Sequence, residues 1–412
     1  MWPGSPRRTD PQRAGLLASR RATGPTGSRR FGGSRLATRG VLSAGVPALS
    51  NIFDPRPTPA TPTATPAAPS LSPVLSPSAA PAEGAPARAS PRQNRQIRVY
   101  RPTPDEWRPA LALALAGEAR SASQSAVTGF LHQPAFYAAA VAGLTCVTVR
   151  DKPRFAMVPL PSPGKTALLL TSTRLPRRAI EGLDAAIAAA IRHACQSQKA
   201  NGIHLAQILL PSAATKLAGI LTERCGFWPL ADLLYLQKRC RRRGNGPIAL
   251  PAGWRTEPYS AATHDWFRVA VARSYESSLD CPELSGRREI EDVIAGHKAA
   301  GEFRPSLWRV LLREDGGGHV TPAGVLLLSG LGVAGTAGVE LVYLGLTPEA
   351  RGRGFGERLL SVAQAAAAAT HGGTLALAVD ARNTPALRLY RQGGLRQVQT
   401  RQAFLRDLRD AD

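Results

Sequence analysis

Between Gly338 and Gln364 the chain reads as a strand, a turn punctuated by glycine, and then a helix with no intervening loop. The strand is Gly338-Val339-Glu340-Leu341-Val342-Tyr343-Leu344-Gly345-Leu346, and Thr347-Pro348-Glu349-Ala350 leads from it into Arg351-Gly352-Arg353-Gly354-Phe355-Gly356. Glu357-Arg358-Leu359-Leu360 opens the helix. Glycine admits φ > 0 and close backbone approach, so consecutive N–H groups can face one concavity. The helix adds unpaired N–H groups and the positive end of its dipole. The pattern suits a diphosphate, with Arg351 and Arg353 supplying charge, although a tight packing turn would read the same way. A dinucleotide fingerprint fits poorly, because its third glycine is missing and the preceding strands look antiparallel. Gly164-Lys165-Thr166 imitates the end of a Walker loop, but Pro159 replaces the first glycine and strand-like Ala167-Leu168-Leu169-Leu170 follows.

The flanking sequence narrows the choice. Trp266–Ala272 and Arg288–Ala300 have helical spacing, with a polar segment containing Tyr275, Glu276, Asp280, Cys281 and Glu283 between them. Strands are expected at Trp308–Leu312 and Ala323–Leu328, joined by short turns as in an antiparallel sheet. After the glycine turn come a helix, the Gly372-Gly373 stop, the strand Thr374–Asp380, then Asn383, Ala386, Leu389-Tyr390 and Gly393-Gly394-Leu395.

Here the sequence resembles the GNAT acetyltransferase superfamily. Arg351, Gly354 and Gly356 match its Q/R-x-x-G-x-G/A loop. Asn383, Ala386, Leu389, Tyr390 and Gly394 match its N-x-x-A-x-x-L-Y-x-x-x-G-F segment, Leu395 replacing the usual Phe. The resemblance implies an α/β (α+β) fold and acetyl-CoA as acetyl donor, with an amine as acceptor and no metal. Leu344, Gly345 and Leu346 would hydrogen-bond the pantetheine arm. Gly352, Arg353, Gly354, Phe355, Gly356 and Glu357, with Arg351, would hold the pyrophosphate, and Asn383 would touch the cofactor where two strands part. Tyr390 would protonate the departing thiolate. An attacking amine must lose a proton, and Glu340 is the carboxylate expected to take it. A solvent-facing or Arg-paired Glu340, and a packing role for Tyr390, remain the alternatives. No Ser, Cys or His constellation points to an acyl-enzyme, so transfer in a ternary complex is the simpler expectation.

An earlier unit repeats the pattern in eroded form. Leu205–Leu210, a helix through Leu221, Cys225-Gly226-Phe227 and Asp232–Leu236 follow the same order as the later segment. This suggests tandem GNAT-like domains resembling mycothiol synthase-like proteins, each a mixed, mostly antiparallel sheet flanked by helices. Thr215 stands at the place of Asn383 and Thr222 at that of Tyr390. The counterpart of the glycine loop, Thr171-Ser172-Thr173-Arg174-Leu175-Pro176-Arg177-Arg178, contains no glycine. The first copy is therefore expected to wall the acceptor cleft rather than bind the cofactor in the usual way. Its span is 99–240, followed by a basic Gly/Pro linker at 241–251 and the catalytic domain at 252–412.

Residues 1–95 are rich in Pro, Ala, Ser, Thr and Arg, as in Thr58-Pro59-Ala60-Thr61-Pro62, and lack apolar periodicity. Such a segment is expected to be disordered. The Arg-rich, acid-poor first forty residues resemble a transit peptide, but Pro and Gly interrupt the amphipathic helix that it would need. A solvated tail or an over-long start is the plainer reading. The formal net charge of +23 comes mainly from Arg in an Ala/Gly/Pro-rich chain, which a genome-wide composition bias explains without nucleic acid. Five scattered cysteines without a C-x-x-C pair read as reduced thiols, hence a cytoplasmic protein. No apolar run reaches the roughly 18–20 residues of a membrane span. Two other functional classes stay open: an acetyl-CoA-binding sensor or scaffold without transfer, and a salt-sensitive nucleic-acid binder using the tail. The acceptor's identity and the oligomeric state cannot be read from the sequence.

Overall fold

The computed structural model describes residues 97–410, apart from 118, 120, 242–246 and 332–336. The expected tail, and the middle of the expected linker, lie outside the described residues. In chain order the first half contains β1 (Ile97–Tyr100), α1 (Trp107–Ala114), α2 (Gln124–Leu131), α3 (Pro134–Gly143), β2 (Thr145–Val149), β3 (Lys152–Ser162), β4 (Thr166–Thr171), α4 (Leu183–Ala200), β5 (Leu205–Leu210), α5 (Thr215–Arg224) and β6 (Trp228–Arg239). The second contains β7 (Trp254–Pro258), α6 (His264–Ser274), α7 (Ile290–Lys298), β8 (Glu302–Phe303), β9 (Arg309–Glu314), β10 (Val320–Leu331), β11 (Gly338–Leu346), α8 (Phe355–Ala368), β12 (Thr374–Asp380), α9 (Thr384–Gln392) and β13 (Arg396–Asp407).

These strands form one sheet in the order β1-β2-β3-β4-β5-β13-β6-β12-β11-β10-β9-β7, with β8 beside β10. Read from either end, the order presents the same series of equivalent strands, so the two halves are copies of one plan. Each half runs antiparallel until its fourth major strand, where β4 pairs with β5, and β11 with β12, in parallel. The last strands are exchanged. β13 pairs with β5 of the first half, and β6 pairs with β12 of the second, while β6 and β13 pair with each other at the centre. The exchange was not evident in the sequence, because both final strands are amphipathic and either would satisfy either neighbour.

Alternation decides which face each strand buries. Leu375, Leu377 and Val379 of β12 join Val339 and Leu341 of β11 under Leu359, Leu360 and Ala363 of α8. On the opposite face Phe267, Ala270 and Val271 of α6 and Val293 and Ile294 of α7 cover Val325, Leu327 and Tyr343. The first half buries Ile187, Ile191 and Cys195 of α4 against Phe155, Met157 and Ile208. β3 holds three prolines, yet Pro159 and Pro161 lie beyond the last β2 pair, Thr145–Met157, where only the β4 edge of the strand requires donors.

The halves also meet at the tip of the β3–β4 hairpin. The Gly164-Lys165 segment, which imitates a Walker loop in sequence, is a turn with φ values of 87° and 55°. Lys165 pairs with Asp292 of α7 at 2.9 Å. Gly164 leaves no room for a side chain, since a Cβ there would stand 2.1 Å from the Asp292 carbonyl oxygen. Gly164→Ala should therefore force the hairpin off α7 and destabilise the protein by roughly 1–3 kcal/mol. Gly202→Ala is the control, because Gly202 has a similar φ of 77° but nothing within 4 Å of its Cβ position. Urea unfolding that gave both variants the same loss would show that the contact contributes nothing.

Candidate active site

The turn after β11 is open. Gly352 and Gly354 adopt φ of 70° and 77°, and a Cβ on either would meet nothing within 4 Å. Gly354 is the N-cap of α8, so the first N–H groups of that helix are presented without a capping side chain. Gly356 serves packing instead, since a Cβ there would sit 3.1 Å from Leu389 of α9. Phe355 is buried against Trp254, ring centroids 4.1 Å apart, and anchors the turn to β7. Glu357 is exposed in the first turn of α8.

The two arginines are placed differently from the charge-supplying role expected of them. Arg351 turns inward, donating to the carbonyls of Leu346 at 3.1 Å and Ser274 at 3.0 Å. It ties the end of β11 to the end of α6. Arg353 lies over the Trp254 ring at 5.3 Å and the Phe355 ring at 5.7 Å, with its side chain exposed. Arg353 is thus the one still able to reach an anion at the turn.

β11 and β12 pair only from Gly338–Thr374 to Glu340–Ala376 and then part. Beyond the split, Val342 is an extra residue against β10, because Leu341 pairs with Leu328 and Tyr343 with Leu327. This bulge re-aims the strand. Leu344 and Leu346 are half-buried along the split, and Gly345 is packed so closely on Ser274 and Tyr343 that no side chain would fit. A cavity of about 380 Å³ opens at the parting strands, lined by Tyr275, Asp280, Arg288, His297 and Tyr343 of the second half and by Leu233 of β6. The first half therefore does contribute to the wall. Its own strands β4 and β5 part in the same way after Leu168–Gln207, but there Ser172 bonds back to the Ala156 N–H at 2.9 Å. The glycine-free segment that follows forms no tight turn at a helix N-terminus, α4 beginning only at Leu183.

Arg382 fixes the cavity's mouth. Its guanidinium bridges Asp380 and Glu283 and also donates to the Leu230 carbonyl at 3.0 Å. The Cys281 N–H donates to Asp380 at 3.1 Å, and the Asp380 N–H donates to Asp280 Oδ1 at 3.1 Å. These bonds hold Cys281 in a left-handed conformation, φ 46°, and set Asp280 beside the end of β12. Asn383 caps α9, its side chain accepting from the Ala386 N–H at 3.3 Å, and it lies near Asp280. Burial, and secondarily Asp380, pushes the Asp280 carboxyl up from the usual carboxylate range. Tyr390 is buried in α9 among Leu359, Leu360 and Leu395. Burial first, and then the charge of Asp280, raises its hydroxyl above the ordinary phenol value, so the proton stays on it at neutral pH.

Glu340 stands apart from this group. It is 0% exposed and absent from the cavity lining, so it is neither a solvent-facing residue nor an arginine partner. Both its carboxyl oxygens, the Tyr235 hydroxyl and the Ser329 hydroxyl lack hydrogen-bond partners among the described residues. Burial raises the Glu340 carboxyl well above its ordinary value, and a molecule in the cavity has no contact with it. The sequence suggests Glu340 as the base and gives no sign that packing seals this residue from solvent. Asp280, noted in sequence only as part of a polar segment, is the carboxyl that faces the cavity. Arg288 and His297 carry no signal in the sequence, where each reads as an ordinary residue beside or within an amphipathic helix.

His297 is buried and stacked on Tyr343 at 5.3 Å and 19°. Burial, and then the nearby Arg288, lowers its pKa to about 3. An unfolded histidine titrates near 6.5, so between pH 6.5 and 3 the unfolded chain binds the extra proton and stability falls as pH falls. At pH 5 this amounts to roughly 2 kcal/mol relative to pH 7.5. His297→Gln should remove about that much of the pH dependence in urea titrations, and an unchanged slope would contradict the buried neutral imidazole.

Residues 265–394 match the model of the acetyltransferase (GNAT) family. A search of curated proteins returned no match. Among solved structures, a GCN5-related N-acetyltransferase from Sphaerobacter thermophilus superposes with a TM-score of 0.51 at 15% identity, covering 77% of this chain and 97% of its own. A tandem GNAT protein from the clavulanic acid biosynthesis pathway covers 77% and 100% at 14% identity, with a TM-score of 0.42. A GCN5-related N-acetyltransferase from Kribbella flavida covers 61% and 86% at 15% identity, with a TM-score of 0.35. Only the first of these likenesses bears on the fold, and its match runs across both halves of the chain. The parted strands and the glycine turn thus lie within the segment that matches the GNAT family, and the strand order repeats that segment's plan in the first half.

Proposed function

We propose that the protein is an acetyl-CoA-dependent N-acetyltransferase that passes acetyl directly to an amine in a ternary complex. The observation that carries this reading is the open turn at Gly352 and Gly354 heading α8, one strand-length from a cavity at the parting of β11 and β12. Exposed N–H groups at a helix N-terminus suit a diphosphate. The strand edge of Leu344, Gly345 and Leu346, left unpaired beyond the split, offers backbone groups to an amide-bearing arm. Asn383 stands where that arm would end.

In the proposed reaction the amine nitrogen attacks the thioester carbonyl, the carbon–sulfur bond breaks, and the thiolate takes the Tyr390 proton. The ammonium that enters must lose a proton. Asp280, rather than Glu340, is the carboxyl facing the cavity, and its raised affinity for protons makes it a better base toward an amine than an ordinary carboxylate. The five unbridged cysteines are compatible with a reducing, cytoplasmic setting. Among the described residues no helix is long and apolar enough to cross a membrane, and no cluster of metal-ligating side chains occurs.

Gly354→Glu places a side chain and a negative charge in the turn and should weaken acetyl-CoA binding by at least about tenfold in calorimetry. Tyr390→Phe should lower kcat about a hundredfold in a thiol-release assay while leaving acetyl-CoA affinity within about twofold. Equal acetyl-CoA affinity in wild type and Gly354→Glu would overturn the assignment of the turn.

A further inference from the structure

The cavity at the parting strands holds charges of both signs in separate surroundings. Asp280 lies at the strand end, bonded by the Asp380 N–H at 3.1 Å with Asn383 nearby, close enough to Tyr390 for its charge to act on that hydroxyl. Arg288 lies toward α7, beside His297. Tyr275 lies between, its hydroxyl within the fields of both Arg288 and Asp280, and its ring faces Tyr343 with centroids 5.5 Å apart.

Arg288 is the unusual member. It lines the cavity and is half-buried, and among the described residues it has neither a hydrogen bond nor an ion pair. Asp292, the carboxylate whose field reaches it, is already paired with Lys165 of the first half at 2.9 Å. A desolvated guanidinium without a partner is costly. Its planar fork matches a carboxylate through two parallel N–H···O bonds.

We propose that the acceptor is a zwitterion of amino-acid size, its ammonium directed to Asp280 and its carboxylate held by Arg288. The cavity's volume of about 380 Å³ lies at the small end of ligand pockets, which run from roughly 300 to 1,000 Å³, and it suits a molecule of that size. Its walls suit an apolar or aromatic side chain lying against the paired rings of Tyr275 and Tyr343. This orientation puts the amine beside Tyr390 and Asn383, at the end of the cavity where acetyl would arrive. A simple amine would leave Arg288 unpaired, and a diamine would set a second cation against it. The inference rests on the proposed transfer reaction for its biological meaning, but not for its test.

The test is direct binding to the full chain by calorimetry, with acetyl-CoA titrated in parallel. The probes are the twenty standard L-amino acids, their C-terminal amides and the corresponding decarboxylated amines. At least one amino acid is expected to bind, with its amide and its decarboxylated amine weaker by about tenfold or more, the loss that follows removal of a charge-assisted pair. Arg288→Gln should erase that preference without changing acetyl-CoA affinity, and Arg288→Lys should keep part of it. Should Arg288→Gln fail to fold, the wild-type comparison of acid, amide and amine decides alone. The proposal is overturned if amides or amines bind as tightly as the acids, or if no amino acid binds. Acetyl-CoA binding with no amino-acid binding would sink the zwitterion and spare the transfer reading. Amino-acid discrimination without acetyl-CoA binding would do the reverse.

Discussion

The pairing of β6 with β13 at the middle of the sheet is the contact on which the rest depends. Because each half hands its last strand to the other, β12 is flanked by β6 on one side and by β11 on the other. The position at which β11 parts from β12 is therefore set by both halves. Leu233 reaches the cavity from β6, and the Leu230 carbonyl accepts from Arg382. An exchange of this kind makes a two-domain chain behave as one body, since no hinge can open between the copies without breaking a sheet.

Much of the fold could be read from residue order, for reasons that are local. A glycine turn between a strand and a helix needs no distant partner to be recognised, and Gly352 and Gly354 adopt the left-handed conformation that their identity suggests. Alternation in Gly338–Leu346 and Thr374–Asp380, and helical spacing in α6 and α7, marked those elements correctly. What escaped is what depends on partners. The register of β13 against β5, the docking of Gly164 on Asp292 and the inward turn of Arg351 are all settled by groups far away in sequence. Nothing near Arg351 indicates that its guanidinium meets the Ser274 carbonyl rather than solvent or a phosphate.

The site shows the same division more sharply. Tyr390 and Asn383 lie in a motif; Asn383 follows β12 as the cap of α9, and Tyr390 is buried within that helix. Glu340 and Asp280 are both acids in plausible stretches, and only the third dimension separates them. One is fully buried with no hydrogen-bond partner for its carboxyl among the described residues, while the other lines the cavity, held by the Asp380 N–H. A carboxyl's usefulness as a base depends on access as much as on affinity for protons, and access is a property of packing.

The eroded first copy carries a consequence for how such a chain can change over time. The turn that suits the donor is built wholly from the second half, whereas Leu233 and Lys165, which shape or brace the cavity, come from the first. Substitutions in the first copy can change the cavity wall while leaving the glycine turn as it is. In such an arrangement a change in one half of the sheet can alter the cavity wall without touching the turn, so the two parts need not vary together.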